Sequence, residues 1–392
     1  MSNYASTQDF NVTTARVLLG AVLFAVTPLA ASSTLGAQQL PDLRGKPEAT
    51  IADPFTQIAG LRELPDGRAI VTDQTDQRVV LVDFRQRSAR VLGRAGDGPG
   101  EYRFPMAPLA GVADTTWVYD ATLRRLHVIA SDGRFVRGIL LPTSGPAASI
   151  ASVRGVDRSG RLYLEANSLD RERGTFSDSV AVVRWDPLSG ATSVVSRVWG
   201  GGRVELSRPD GPVSLARGVT PFPHLDAWVT LPDGHVAIVK HHPFRVDLVD
   251  SVGRVRPGLA MEYTPVPVTA ADRNAYRLRA AGVRRRVVGV GGGTGGMQLP
   301  GRQFDDEEFP RVMPPFVARS VVVSPEGEVW VGRSHRSTAT SWQYDVFAAS
   351  GHRMGSVTLN VGSAVVGFGR GTVYVARADR DDDLIYLERY RR

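Results

Sequence analysis

Cysteine is absent from this chain of 392 residues. Its absence excludes disulfides, thiol catalysis, zinc–thiolate sites and a lipid-modified N-terminal cysteine, while leaving export open. Lysine is almost absent as well. Lys46 and Lys240 are the two lysines among 47 basic residues, which leaves 45 arginines. The net charge of +7 permits attraction to polyanions and anionic surfaces. The arginines are spread along the chain and not gathered into one run, which sets nucleic acid aside as a partner. The N-terminal apolar run at 17–31, VLLGAVLFAVTPLAA, has 15 residues and contains Pro28, whereas a spanning helix needs about 20. It follows Arg16 and precedes small residues ending at Ala37. That is the pattern of a secretory signal peptide over 1–37, so 38–392 is expected to be exported to the periplasm or beyond, as a monomer.

What the chain has instead is a repeat. Six short polar turns end at Gly67, Asp114, Gly160, Gly234, Gly327 and Gly371. Each is followed by an apolar run, such as Ala69–Val71, Leu162–Leu164 or Val373–Val375. A strand covered on both faces reads as a continuous apolar run, not as an alternation. Six such strands in series predict an all-β fold, a six-bladed β-propeller. The gaps between turn markers are 47, 46, 74, 93 and 44 residues. Gaps in the forties fit a four-stranded blade, and the long ones call for insertions at about 166–180, 199–222 and 263–316. The last holds a predicted helix over 270–281, with a capping-box-like start at Thr269 and Asp272 and a stop at Gly282. Its apolar stripe of Ala271, Ala275, Leu278 and Ala281 is narrow, so the helix is expected to dock weakly and 284–312 to be mobile. Outer turns number five against six inner ones, and the extended stretch 48–53 has no other place. It is expected to close the last blade as its outer strand, hiding an open sheet edge.

The stretch from Arg94 to Pro105, RAGDGPGEYRFP, resembles the linker of NHL-type propellers. So do the runs from Val71 to Asp73 and Val118 to Asp120, each followed by arginine and aliphatics at Arg78 and Arg125. Over about 46–392 the chain is similar to exported six-bladed propellers of bacteria. Blades three to six depart from the NHL pattern, with Ala166, Lys240, Arg333 and Arg377 where its aspartate would stand. The resemblance implies architecture, not an activity.

In propellers, the loops between second and third strands share one face with the connections between blades. Arg94, Arg103, Lys240, Arg333 and Arg377 fall there, with Arg171, Arg173, Arg203, Arg208, Arg217 and Arg336. Guanidinium forks suit carboxylate, sulfate or phosphate. The expected function is therefore noncatalytic binding of a protein, peptide or anionic polymer. Lys240, Arg333 and Arg377 should converge at the channel mouth, where few carboxylates are expected. His241, His242 and His335 are candidate imidazoles of the same face. No cofactor or metal is expected. The Asp379 to Asp383 run lacks the spacing of a helix-loop-helix calcium site, and the glycine-rich 289–296 lacks the residues of a phosphate cradle. No G-x-S-x-G elbow occurs. The alternative function is a metal-dependent hydrolase or lyase, similar to gluconolactonase-type and amidating-lyase propellers. Asp226 and His224 are the nearest residues to the carboxylate and histidine ring such enzymes carry. Trp117, Tyr163, Trp330 and Tyr374 share one repeat position and are expected to pack between blades.

Overall fold

The computed structural model describes residues 40–147, 150–166, 169–170, 175–201, 204–205, 220–282, 285–287, 297–299, 304–379 and 384–392. The leader reading of 1–37 and residues 289–296 lie outside these. No helix among the described residues is long and apolar enough to cross a membrane.

The apolar runs that follow the six turns are the second strands of six blades. They are Ala69–Asp73, Thr116–Asp120, Leu162–Ala166, Val236–His241, Val329–Arg333 and Thr372–Ala378. The residues ending the turns adopt positive φ, from 57° at Asp114 to 88° at Gly234 and Gly327, which explains the preference for glycine there. Each second strand lies in an antiparallel four-stranded sheet. Six apolar clusters fill the gaps between neighbouring blades, so each blade is buried on both faces. This is a six-bladed β-propeller.

Closure is by the N-terminal strand. Ala49–Thr50 pairs with Ile385–Arg391 and completes the sheet of blade six. Ile51 and Phe55 donate backbone N–H bonds to Leu387 and Ile385 at 3.0 and 2.8 Å, and both side chains are fully buried. The shared aromatic position packs between blades as expected. Tyr374 lies 5.2 Å from Phe84 of blade one, Trp330 lies 5.1 Å from Phe368 of blade six, and Tyr163 donates to the Gly234 carbonyl at 2.8 Å.

Near the axis the inner strands approach so closely that side chains are excluded. A Cβ at Gly60 would sit 2.6 Å from that of Ala107, and one at Gly367 would sit 2.6 Å from the Leu61 carbonyl oxygen. The backbone bulges of the inner strands between Ile58 and Gly60 and between Val365 and Gly367 lie at these points.

The long insertion corrects its expectation. The helix Ala270–Gly282 is present, but the residues that anchor it are polar and aromatic. Asp272 is buried and accepts from Ser337 N and Oγ at 2.7 and 2.8 Å, and from Thr269 N and Oγ1 at 3.0 and 2.6 Å. Burial pushes the Asp272 carboxyl up, and these bonds outweigh it to hold it down at about 2. Tyr276 packs against Phe222, Phe304 and Phe309 at 5.2, 5.4 and 5.7 Å. Leu278, assigned to the docking stripe, is 76% exposed. Phe304, Phe309 and Met313 are buried, and Val268 and Met313 take backbone bonds across residues 266–313. The part from 304 onward is thus joined to the propeller. Apolar periodicity missed this because a carboxylate and rings from outside the helix do the anchoring.

Candidate functional site

Blade four begins at Ala227–Thr230, and Asp226 stands just before it. Its side chain is wholly buried, between the exit of blade three and the end of Val236–His241. Oδ1 accepts from His241 Nδ1 at 2.8 Å and from His241 N at 3.1 Å. Oδ2 accepts from Lys240 Nζ and, at 3.2 Å, from Trp199 N. Burial pushes this carboxyl up, but the bonds from His241 and Lys240 prevail and hold it at about 2, below its ordinary 3.8. Asp226 is therefore ionised across the physiological range.

That charge fixes the imidazole. An ionised carboxylate on Nδ1 requires Nδ1 to carry the proton, which leaves Nε2 as an acceptor in the neutral ring. Within the described residues Nε2 makes no hydrogen bond, and the His241 side chain is 19% exposed. His224 stands edge-on at 6.2 Å, its own Nε2 3.1 Å from the Val312 carbonyl oxygen. Lys240 spends one of its three N–H bonds on Asp226 and remains 28% exposed. His242 is exposed.

Four further cations of the basic face, Arg333, Arg377, Arg103 and Arg94, stand beside carboxylates too. Arg333 forks onto Asp345, Nε and Nη2 at 2.6 and 2.9 Å, and Arg353 shares that carboxylate. Arg377 binds Glu388 at 2.7 Å and stands 3.6 Å from Asp379. Arg103 forks onto Asp97 at 2.7 and 2.9 Å, and Arg94 is a largely exposed group 3.5 Å from Glu101. Lys240, Arg333 and Arg377 do occupy equivalent strand ends of blades four, five and six. The expected scarcity of carboxylates there is overturned, because each has an acidic partner. The sequence hid this because Asp345 and Glu388 sit on third strands, opposite Val331 and Val375. His335 belongs to a different place, 5.5 Å from the Trp342 ring in blade five. Arg171, Arg173, Arg203, Arg208 and Arg217 lie outside the described residues.

The cation that the hydrolase resemblance implies does not fit this cluster. Asp226 already accepts four bonds, and the Lys240 ammonium lies where a metal would approach. Among the described residues no group of three or more His, Asp and Glu is placed to hold a metal.

No family model matches the sequence, and no curated protein matches it. Solved structures resemble it at a distance. A gluconolactonase from Xanthomonas campestris is 10% identical with a TM-score of 0.43, over 89% of this chain and 95% of that one. Regucalcin, a calcium-binding protein from Agrobacterium tumefaciens, is 12% identical with a TM-score of 0.43, over 88% and 96%. Virginiamycin B lyase from Staphylococcus aureus is 12% identical with a TM-score of 0.37, over 86% and 82%. Likenesses at this level carry no chemistry across to this chain.

Proposed function

We propose that this propeller is an enzyme of hydrolase or lyase type whose proton acceptor is His241. The observation that carries this is the 2.8 Å bond from His241 Nδ1 to the buried, ionised Asp226. A general base needs a free nitrogen, a fixed tautomer and a counter-charge for its protonated form. Nε2 supplies the first, and Asp226 supplies the other two. In a hydrolysis, Nε2 takes the proton of the attacking water and returns it to the departing oxygen. In an elimination, it takes a proton from the carbon beside a carbonyl, that electron pair forms the C=C bond as the neighbouring C–O bond breaks, and Nε2 returns the proton to the departing oxygen. The remaining N–H bonds of Lys240 are available to the negative oxygen either path develops. The noncatalytic reading expected few carboxylates beside Lys240, Arg333 and Arg377, and an acidic partner beside each of the three weakens it.

The test is a panel of aryl esters and small lactones, with and without an elimination-competent ester. His241→Ala should lower kcat/KM by about 10² to 10⁴, the usual weight of a positioned base, with unchanged circular dichroism. An inactive parent across the panel, or a fully active variant, would sink the proposal. Salt-sensitive binding of acidic polymers by an inactive parent would restore the noncatalytic reading.

A further inference from the structure

A cleft of about 310 Å³ opens between residues 263–266, the Pro314–Pro315 corner and the strand ends of blade five. It is at the small end of ligand sites. One wall is Trp342. Its Nε1 donates to the Arg333 carbonyl at 2.6 Å, and its ring is braced by Tyr344 at 4.9 Å and by His335. The indole is thus fixed with its polar atom satisfied internally, and its ring lines the cleft. Tyr263, held edge-on to Phe244 at 6.1 Å, lines the cleft as well.

The charge is specific. Arg333 and Arg353 share the single carboxylate of Asp345, so one guanidinium charge of this trio is unbalanced. The inner edge of the Arg333 fork is used by Asp345, and its Nη1 makes no hydrogen bond within the described residues. Around it stand Ser334, Ser341 and Gln343. Gln343 donates to Ser356 at 2.6 Å, which leaves its carbonyl oxygen as an acceptor. The loop bearing Ser334 and His335 is tied down at Ser337 by the buried Asp272 carboxylate.

We propose that this cleft binds an acidic sugar residue, a pyranose ring carrying one carboxylate. A fixed aromatic face matches the apolar face of such a ring. Hydroxyl and amide groups match its hydroxyl edge. One locked guanidinium with one unbalanced charge matches a monoanion, where a phosphate dianion would need more. This goes beyond the His241 reading and does not depend on it, because binding is read without turnover.

The experiment is calorimetric titration with D-galacturonate, trigalacturonate, D-galactose and N-acetylphenylalanine. Galacturonate should bind at least about tenfold more tightly than galactose, as one charge-assisted bond implies. Arg333→Gln should remove that preference, and Arg353 still balances Asp345 in the variant. Trp342→Leu, which keeps apolar bulk, should weaken both sugars about tenfold. A trimer that binds much more tightly than the monomer identifies a polysaccharide end as the source, and equal affinity identifies a free sugar acid. Equal binding of galactose and galacturonate, preference for N-acetylphenylalanine, indifference to Trp342→Leu, or no binding of either uronate would overturn the proposal.

Discussion

Replacing Asp226 by Asn tests whether the blade-four carboxylate does what its surroundings imply. The side chain is buried and accepts from two charged or ring groups and two backbone amides. An amide keeps one acceptor oxygen and turns a donor toward Lys240 and Trp199, so at least two donors lose their partner. The carboxyl is held at about 2 in place of 3.8, which corresponds to roughly 2 kcal/mol of folding stability. Breaking a buried pair costs about 3–5 kcal/mol, but Lys240 is 28% exposed and reaches water, so the lower figure applies. The sign follows from the direction of the shift. A depressed carboxyl contributes above its unfolded value, and the contribution is lost as pH falls through the folded one. Urea melts of parent and Asp226→Asn should therefore differ by about 2 kcal/mol at neutral pH, and the gap should close between about pH 4 and pH 2. Other carboxyls titrate in both proteins and cancel in the difference. Equal stability at neutral pH, or a gap that ignores pH, would refute the assignment of Asp226 as a buried, ionised anchor.

At the axis, Gly367→Val places a Cβ 2.6 Å from the Leu61 carbonyl oxygen. It should cost about 1–3 kcal/mol by overpacking, read as a drop in Tm, whereas an unchanged Tm would mean the inner strands yield. Ile51→Ala removes a fully buried side chain from the closing segment and should cost about 2–5 kcal/mol. A near-neutral result in thermal melts would mean that the N-terminal strand adds little to closure. His127 is fully buried, neither of its ring nitrogens is hydrogen-bonded among the described residues, and burial pushes its pKa down to about 4. The folded state thus prefers the neutral ring, and stability present above the unfolded value is lost as pH falls from about 6.5 to 4. His127→Phe should abolish that loss and leave neutral stability equal or higher; an unchanged acid limb between those values would refute it.

The architecture was legible because propeller blades repeat a local rule. A turn that needs positive φ, followed by a strand buried on both faces, leaves its mark in every blade, and the spare strand at 48–53 followed from counting. The site was only half legible. Lys240, Arg333 and Arg377 were correctly placed at equivalent strand ends, yet their partners were invisible. Asp345 and Glu388 lie on the next strand at a diagonal set by register, and Asp226 lies 14 residues before Lys240 across an inner strand. A sequence displays charges one at a time, and pairing depends on which residues a sheet sets opposite each other. Asp272 was read as part of a helix start, but its bonds to Ser337 cross 65 residues.

Blades one and two carry an aspartate at the end of the second strand, and blades four, five and six carry an acidic group elsewhere. In blade one, Asp73 accepts from the backbone of Thr56 and Gln57 at 2.9 and 3.1 Å. In blade two, Asp120 accepts from Arg103, Phe104, Thr122 and Leu123. In both, a buried carboxylate fastens the incoming connection to the end of the second strand. Blades five and six move the carboxylate to the third strand and put an arginine in its old place, so the same corner is closed by a charge pair. Blade four moves it to the mouth of the inner strand, where Asp226 still collects backbone amides from Trp199 and His241. Fastening of the connection is thus enough to explain the acidic group in blades one, two and four. It does not explain a histidine whose Nδ1 is bonded to that group, since the backbone N–H of any residue at 241 serves the closure equally well. The ring of His241 adds a side-chain bond to Asp226 beyond that closure, and for that reason it is where chemistry is proposed.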